Sequence, residues 1–298
     1  MRVAVAGASG FVGRALLPRL AASGHEVVRL VRRAASGPDE VAFDPVTGVV
    51  DLDALSGVQA IVNLAGAGIG DKRWTEAYKK TLYDSHVGSA ATLATAAAEV
   101  SPAPAVLVSV GAMGYYGNAT HGMRLTEDLP AGSDVAARIV ADKEAATAPA
   151  RDAGVRVVLP RLSLVMGRDG GTFGRRLLPL ARAGLLGPLA GGSSLWSVVS
   201  VQDVARALEF LLAAEHTAGP YNVSAPSTTT NREFTRLLGE AVHRPTVLPV
   251  PRFGISLVLG EFATDVLADF NVDPSRLEAA GFSFEHPDAR TVVSAALA

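Results

Sequence analysis

Three glycines near the amino terminus restrict the fold more than any other feature of this chain. The segment 7–13, GASGFVG, follows the short apolar run RVAVAG and opens a helical pattern. A diphosphate needs exposed backbone N–H groups at a helix N-terminus, and side chains at these glycines would block it or separate helix from strand. The segment therefore predicts a dinucleotide-binding strand–loop–helix rather than a merely structural turn. The predicted cofactor-binding residues are Gly7, Ser9, Gly10, Phe11, Val12 and Gly13.

Strand-like and helix-like patterns alternate along most of the chain. Apolar runs typical of buried strands occur at 2–7, 25–33, 58–66, 104–110, 155–162 and 219–225, and helical stretches at 75–100, 134–152 and 203–214. Strands buried on both faces that alternate with helices indicate a parallel sheet. The predicted fold class is α/β, a Rossmann-type doubly wound parallel sheet with a smaller C-terminal α/β lobe.

The pattern loosens after residue 166, where Gly and Pro cluster in GRDGGTFG and LLGPLAGGSS. We predict an NADP-binding Rossmann domain over 1–166, with sheet elements returning from about 196–226. An interleaved, smaller substrate-side lobe is predicted over 167–298, ending in a C-terminal domain at 245–298.

The end of the second predicted strand bears on the choice of dinucleotide. An NAD-selective fold usually has a carboxylate there for the ribose hydroxyls, but this strand ends in LVRRAAS and the next carboxylate is Asp39. Arginine suits bidentate contacts with phosphate. The sequence thus favours NADP(H) over NAD(H), with Arg32 and Arg33 at the 2′-phosphate; the alternative is that one or both are solvated.

Composition removes several classes of function. Lys+Arg 27 against Asp+Glu 29 gives a net charge of −2 without a long single-sign block, so neither a nucleic-acid partner nor a polybasic membrane anchor is predicted. The absence of cysteine excludes a thiol nucleophile and a Cys-based zinc site, and the scattered histidines predict no metal. With no long apolar segment either, we predict a cytoplasmic protein.

Several motifs together resemble a known family. They are NLAG at 63–66, DKRWT at 71–75, GYYG at 114–117, GRDGG at 167–171, WSVVSVQDVARAL at 196–208, NREFTRLLGEAVHRP at 231–245 and GFSFEHPD at 281–288. With the glycine loop they resemble the extended short-chain dehydrogenase/reductase superfamily, and within it the sugar-nucleotide-epimerase-like subgroup that carries a C-terminal domain of unknown function. The resemblance implies a nicotinamide cofactor, a substrate cleft between domain and lobe, and a homodimer through helices 75–100 and 134–152. It also places Asn63, Leu64, Ala65 and Gly66 in the cofactor wall.

The catalytic set of that superfamily is missing from this chain. The superfamily uses a Ser or Thr after the fourth strand and a Tyr-x-x-x-Lys on the next helix. Aligned through Tyr115 and Glu144, these positions hold Gly111, Ala136 and Val140. No tyrosine occurs between Tyr116 and Tyr221, so the Tyr-x-x-x-Lys is absent in any register.

Other side chains are therefore candidates for the chemistry. Tyr115 and Tyr116 are expected to border the nicotinamide. The alternative to a catalytic role is that one stacks on or beside the cofactor and the other packs in the protein. Lys143 lies on the same helix as Ala136; a solvated lysine is the favoured interpretation, and charge supplied to the cleft is the alternative. Substrate-binding candidates are Lys72, Arg73, Trp74 and Tyr115. For the first three, the alternative interpretation is that they only form the start of a surface helix.

Two functions follow from these observations. The first is an NADP(H)-binding epimerase- or oxidoreductase-like enzyme that acts on an unknown small polar substrate, sugar-nucleotide-like by resemblance, without the Ser, Tyr and Lys. The second is a catalytically inactive NADP(H)-binding sensor or a regulatory or interaction protein. Fold does not decide between them.

Overall fold

The computed structural model describes residues 1–118, 120–246 and 249–298, without the side chains of Val258 and Leu259. Its strands are β1 Arg2–Ala6, β2 Glu26–Val31, β3 Glu40–Asp44, β4 Val49–Val50, β5 Ala60–Asn63, β6 Val106–Ser109, β7 Gly111–Ala112, β8 Arg124–Leu125, β9 Arg156–Leu162, β10 Leu164–Met166, β11 Leu195–Trp196, β12 Val198–Ser200, β13 Gly219–Val223, β14 Thr229–Thr230 and β15 Asn271–Val272. Its helices are α1 Phe11–Ala22, α2 Leu52–Leu55, α3 Glu76–Glu99, α4 Val135–Ala145, α5 Ala148–Asp152, α6 Leu178–Arg182, α7 Val201–Ala213, α8 Asn231–Ala241, α9 Arg252–Leu259, α10 Ala263–Val266, α11 Ser275–Ala279 and α12 Ala289–Leu297.

The main sheet confirms the predicted doubly wound fold. Its strand order is β13-β9-β6-β5-β1-β2-β3-β4, and all neighbours pair in parallel except β3 and β4. The chain runs outward from β1 in one direction through β2 and β3, and in the other through β5, β6 and β9. This reversal beside β1 is the switch point at which such sheets bind their ligands.

Both faces of the sheet are covered by helices. On one face α1 and α7 contribute Leu16, Leu20, Val204 and Leu208 to a core that also contains inward side chains of the strands. On the other face α3 and α5 pack on a second core. Burial on both sides explains why the strands read as nearly continuous apolar runs in the sequence.

A third core lies among the later elements of the chain. Trp196 and Phe234 meet there with ring centroids 5.4 Å apart, surrounded by residues of α6, α8 and α12. Short strand pairs accompany it, namely β10 with β12, β11 with β14 and β15 with β8. The chain returns from this region to add β13 to the edge of the main sheet.

Two helix boundaries differ from the prediction. The stretch 134–152 forms two helices, because Pro149 lacks an N–H group and its ring excludes the carbonyl four residues back. Helix α7 begins at Val201 rather than at 203, and Ser200 is its cap, with the Ser200 hydroxyl accepting a hydrogen bond from the N–H of Asp203. The buried Asp203 carboxylate accepts hydrogen bonds from the backbone of Glu285 and His286.

Among the described helices, none is both long and apolar enough to cross a membrane.

Candidate cofactor cleft and active site

A large cleft opens at the carboxyl ends of β1, β2 and β5. Its volume is about 900 Å³. The predicted residues that line it are Gly7, Ser9, Gly10, Arg32, Arg33, Leu64, Ala65, Gly66 and Lys72. The cleft thus joins the glycine loop, the arginine pair and the end of β5 in one concave surface, as a dinucleotide site requires.

The glycine loop has the close backbone contacts that its sequence predicts. Gly7 adopts φ +77°, and a Cβ there would lie 2.7 Å from the carbonyl carbon and oxygen of Leu64. A Cβ on Gly13 would lie 2.4 Å from the Gly7 oxygen. Gly10 caps α1 without any side-chain hydrogen bond, so the N–H groups of the first turn stay available to an anion.

Phe11 and Val12 lie at the start of α1, outside the cleft lining. The Phe11 ring packs instead on the GRDGG segment, where a Cβ on Gly167 or Gly170 would lie 2.8 or 2.7 Å from it. The side chain of Phe11 thus connects the loop to the later part of the chain, while its N–H group belongs to the first turn of the helix.

Asn63 stabilises the backbone after β5 from within the core and does not line the cleft. Its buried amide oxygen accepts a hydrogen bond of 3.0 Å from the N–H of Ala65, and its amide nitrogen donates to the Ser89 hydroxyl at 3.2 Å. Gly66 has a separate reason to be glycine, since a Cβ there would lie 2.2 Å from the His86 ring.

A buried carboxylate that the sequence reasoning missed lies beneath the arginine pair. Glu40 on β3 accepts two hydrogen bonds of 2.6 Å from the Arg33 guanidinium, and Ser36 and Arg29 also contact it. Hydrogen bonds from Arg33 and then Ser36 lower the pKa of Glu40 to about 2. Glu40 is nine residues beyond the end of β2 in sequence, but the pairing of β3 with β2 brings it into the cleft.

Arg32 and Arg33 therefore differ in their ion pairing. Arg33 is held by Glu40, whereas Arg32 is exposed and has no salt bridge among the described residues. Because Glu40 is already neutralised, the cleft presents excess positive charge at the end of β2. This charge suits a phosphate better than a ribose hydroxyl.

A second, small cavity contains the three positions where the superfamily has its catalytic set. Gly111, Ala136 and Val140 line this space of about 60 Å³. A Cβ on Gly111 would lie 3.2 Å from Cγ1 of Val140, so these positions lie together although they are far apart in the sequence. Where the superfamily has a hydroxyl, a phenol and an ammonium, this chain has hydrogen and methyl groups.

Lys143 enters the same cavity, and the interpretation of it as a solvated lysine is wrong. Its side chain is only 3% exposed, and its ammonium donates to the Ala65 oxygen at 3.4 Å. Positions 136, 140 and 143 share one face of α4. The short side chains at 136 and 140 leave room for the lysine to fold inward. Burial lowers the pKa of Lys143 to about 8.

His86 is a second functional candidate that the sequence reasoning did not find. The ring lines the small cavity, and its Nε2 donates to the Ala67 oxygen at 3.0 Å, which leaves Nδ1 unprotonated in the neutral ring. Burial, with a further contribution from Lys143, lowers the pKa of His86 to about 4. The helical position of His86 on α3 was the only signal in the sequence.

The low pKa of His86 predicts a pH dependence of stability. Unfolding restores the pKa from about 4 to 6.5, so the unfolded chain binds more protons between these values and the free energy of unfolding falls as pH decreases. A shift of this size corresponds to about 3 kcal/mol. We expect wild type to lose about this much relative to His86→Gln between pH 6.5 and 4, measured by urea unfolding. Parallel pH curves for the two proteins would contradict the assignment.

The side chains of the two tyrosines in the GYYG loop pack against other residues of the protein. The Tyr116 hydroxyl donates to Oδ1 of Asn222 at 2.7 Å and accepts from Arg161 at 3.2 Å. Burial raises the pKa of Tyr116 to about 12, the opposite of what a general base needs. The Tyr115 ring stacks on the Arg161 guanidinium at 3.4 Å, and neither tyrosine lines the small cavity.

The loop 71–75 connects the cleft to the C-terminal region. The Lys72 ammonium lies 5.7 Å from the centre of the Tyr78 ring at the large cleft. Trp74 is buried against Phe262, with ring centroids 5.2 Å apart, and lines the small cavity. The exposed side chain of Arg73 packs beside Gly260, where a Cβ would lie 2.9 Å from it.

Asp203, Glu285 and His286 form a cluster whose atoms could geometrically hold a metal ion. Arg206 contacts both carboxylates, at 2.7 Å to Asp203 and 3.0 Å to Glu285. The cluster joins α7 to the segment before α12.

The sheet, the glycine loop and the cleft together define a dinucleotide-binding protein of the Rossmann type. The chain belongs to the NAD dependent epimerase/dehydratase family, whose model matches residues 3–224; a domain of unknown function, DUF1731, matches 250–296. These matches confirm the resemblance to the short-chain dehydrogenase/reductase superfamily.

Similar proteins occur in bacteria and animals. An epimerase family protein of Mycobacterium bovis is 41% identical over 285 residues, which cover 95% of this chain and 93% of that protein. The crystal structure of human epimerase family protein SDR39U1 (isoform 2) with NADPH matches with a TM-score of 0.89 and 32% identity, over 100% of this chain and 99% of that one. A nucleoside-diphosphate sugar epimerase from Corynebacterium glutamicum matches with a TM-score of 0.82 and 29% identity, over 100% of this chain and 58% of that one.

Proposed function

We propose that this protein binds NADP(H) in the large cleft and acts on a small polar substrate beside it, as an epimerase- or oxidoreductase-like enzyme without the superfamily Ser, Tyr and Lys. The observation that carries the cofactor choice is the end of β2, where Arg32 and Arg33 line the cleft and the nearby Glu40 is already paired. NADPH in the structure of the human relative supports the proposal. A bound nicotinamide would supply or accept a hydride.

The same geometry favours a second candidate function. Gly111, Ala136 and Val140 leave the small cavity without the superfamily's proton-transferring groups. A protein that binds NADP(H) as a sensor or regulator needs none of them. Stereospecific loss of a hydride label from reduced NADP in the presence of a metabolite pool would support the enzyme. Tight binding of the cofactor without any hydride exchange would support the sensor.

The first experiment is a calorimetric titration with NADPH, NADP, NADH and NAD in parallel. We expect micromolar affinity for the phosphorylated pair and weaker binding of the other two. Failure of all four nucleotides to bind would overturn the proposed function and favour a role as an interaction protein.

The arginine pair gives a sharper prediction. Replacing Arg32 and Arg33 together with alanine is expected to weaken NADPH binding by ~10- to 100-fold, the usual value of charge-assisted hydrogen bonds, and not to weaken NADH binding. Arg236→Ala, an exposed arginine on α8 remote from the cleft lining, serves as the control. Equal losses for both nucleotides would rule out the 2′-phosphate contact.

Assembly and location stay proposals. We propose a homodimer through the stretches 75–100 and 134–152, which contain α3, α4 and α5. Sedimentation at high concentration tests this assembly, and a monomer there would contradict it. We also propose a cytoplasmic location and no nucleic-acid or membrane partner, in line with the nearly balanced charge.

A further inference from the structure

We propose that the small cavity is a subsite for a carboxylate group of the substrate, held by the Lys143 ammonium. This inference rests on the proposed function and narrows its substrate to small molecules that carry a carboxylate. The supporting observations are the space left by the missing side chains, the burial of an ammonium without a counter-ion, and the position of the cavity next to the nucleotide cleft.

The cavity has room for such a group. Its volume of about 60 Å³ exceeds the ~10–15 Å³ that a single water needs. The space exists because residues 111, 136 and 140 have small side chains. Its other walls are mostly apolar, including Ile69, Leu82 and Ile139. An apolar cavity with one charged group favours a ligand that is mostly hydrocarbon and has one complementary charge.

The ammonium of Lys143 lacks a compensating charge. It has three donors, and its one hydrogen bond within the described residues is the 3.4 Å contact to the Ala65 oxygen. No described carboxylate lies within 4 Å of it; the adjacent Glu144 is instead paired with Arg161. A buried charge without a partner is costly, and a bound anion would remove that cost. The lowered pKa of Lys143, about 8, reflects the same shortage of partners.

The groups that face Lys143 restrict the charge of the ligand. His86 approaches from α3 as a neutral ring, and the Trp74 indole already donates to the Ile69 oxygen at 2.9 Å. Lys143 is then the single cation at the cavity among the residues described. One ammonium balances a carboxylate, whereas a phosphate dianion would bury a second, unpaired negative charge.

The cavity shares a wall with the nucleotide cleft. Lys143 donates a hydrogen bond to the backbone oxygen of Ala65, and His86 donates one to the backbone oxygen of Ala67. Ala65 and Ala67 also line the large cleft. A carboxylate on Lys143 would therefore anchor one end of a substrate next to the cofactor wall. A reactive group elsewhere on the same small molecule would then lie toward the cleft.

The chain offers a direct test, because it contains only four lysines, at positions 72, 79, 80 and 143. We would record NMR spectra of protein with ¹³Cε-labelled lysine, saturated with NADPH, during titration with acetate. Assignment by Lys72→Met, Lys79→Met and Lys80→Met identifies the fourth signal without altering Lys143. Acetamide, which has a similar shape but no charge, is the control ligand.

We expect acetate to shift the Lys143 signal saturably and to raise its pKa by about one unit or more, since a neighbouring anion favours the ammonium. Acetamide should do neither. A Lys143 signal that does not respond to acetate, or that responds only to inorganic phosphate, would overturn the proposal. If NADPH fails to bind but acetate still shifts this signal, the proposed function fails while the carboxylate subsite stands.

Discussion

Replacing Gly13 with alanine is expected to weaken NADPH binding by roughly 100-fold and to lower the free energy of unfolding by about 1–3 kcal/mol. The new Cβ would lie 2.4 Å from the Gly7 oxygen and 2.5 Å from the Ala8 oxygen, about 1 Å closer than ordinary contact. Both neighbours are backbone atoms of the loop and cannot move aside as a side chain would. Helix α1 must therefore shift away from the loop, and its first-turn N–H groups would leave the diphosphate position.

Calorimetry with NADPH and thermal unfolding would measure the two effects separately. Gly254→Ala is the matched control, because Gly254 also lies in a helix and its Cβ would meet nothing closer than Pro251 at 3.9 Å. This control should retain NADPH affinity and be neutral or slightly more stable, since alanine is the better helix former. A Gly13→Ala variant with wild-type affinity would show that the loop does not bind the diphosphate.

Removal of the Glu144 carboxylate is expected to have the largest effect on stability. Arg161 is only 2% exposed, and Glu144 binds its guanidinium through two contacts of 2.8 and 2.9 Å. Glu144→Ala would leave the guanidinium buried without an anion, which typically costs about 3–5 kcal/mol. Denaturant unfolding should show this loss, and the Tyr115 ring that stacks on the guanidinium should become more mobile.

The control for this prediction is an exposed pair of the same residue types. Glu233 contacts Arg236 at 2.6 Å on the surface of α8, with both side chains nearly half exposed. Water replaces a partner there, so Glu233→Ala should cost about 1 kcal/mol or less. Similar losses in the two variants would mean that burial does not set the strength of the Arg161–Glu144 pair.

The sequence was sufficient for the features that depend on local pattern. The glycine loop, the alternation of strands with helices and the family follow from short motifs and periodicity. The assignment of Gly111, Ala136 and Val140 to the positions of the missing catalytic set came from the resemblance to the superfamily. Each of these depends on neighbours within a few residues or on a repeated motif, and such information is present in a single chain.

Features that depend on packing between distant segments could not be predicted. Glu40 reaches the cleft through the pairing of β3 with β2, and His86 reaches the cavity because residue 66 has no side chain. Lys143 was predicted to be solvated because charged side chains are rarely buried. Its position on the inward face of α4 was the weaker signal. Its burial follows from the volume left by smaller neighbours, which a one-dimensional reading of the helix does not show.

The ion pair beneath the nucleotide cleft has a consequence for how the preference for one dinucleotide could change in evolution. Glu40 lies on the strand adjacent to β2 and is occupied by Arg33. If Arg33 binds the 2′-phosphate as proposed, loss of its guanidinium would remove that contact and release a carboxylate that can accept hydrogen bonds from ribose hydroxyls. A single substitution at position 33 would then move the preference from NADP(H) toward NAD(H), while the sheet, the glycine loop and the wall after β5 stay as they are.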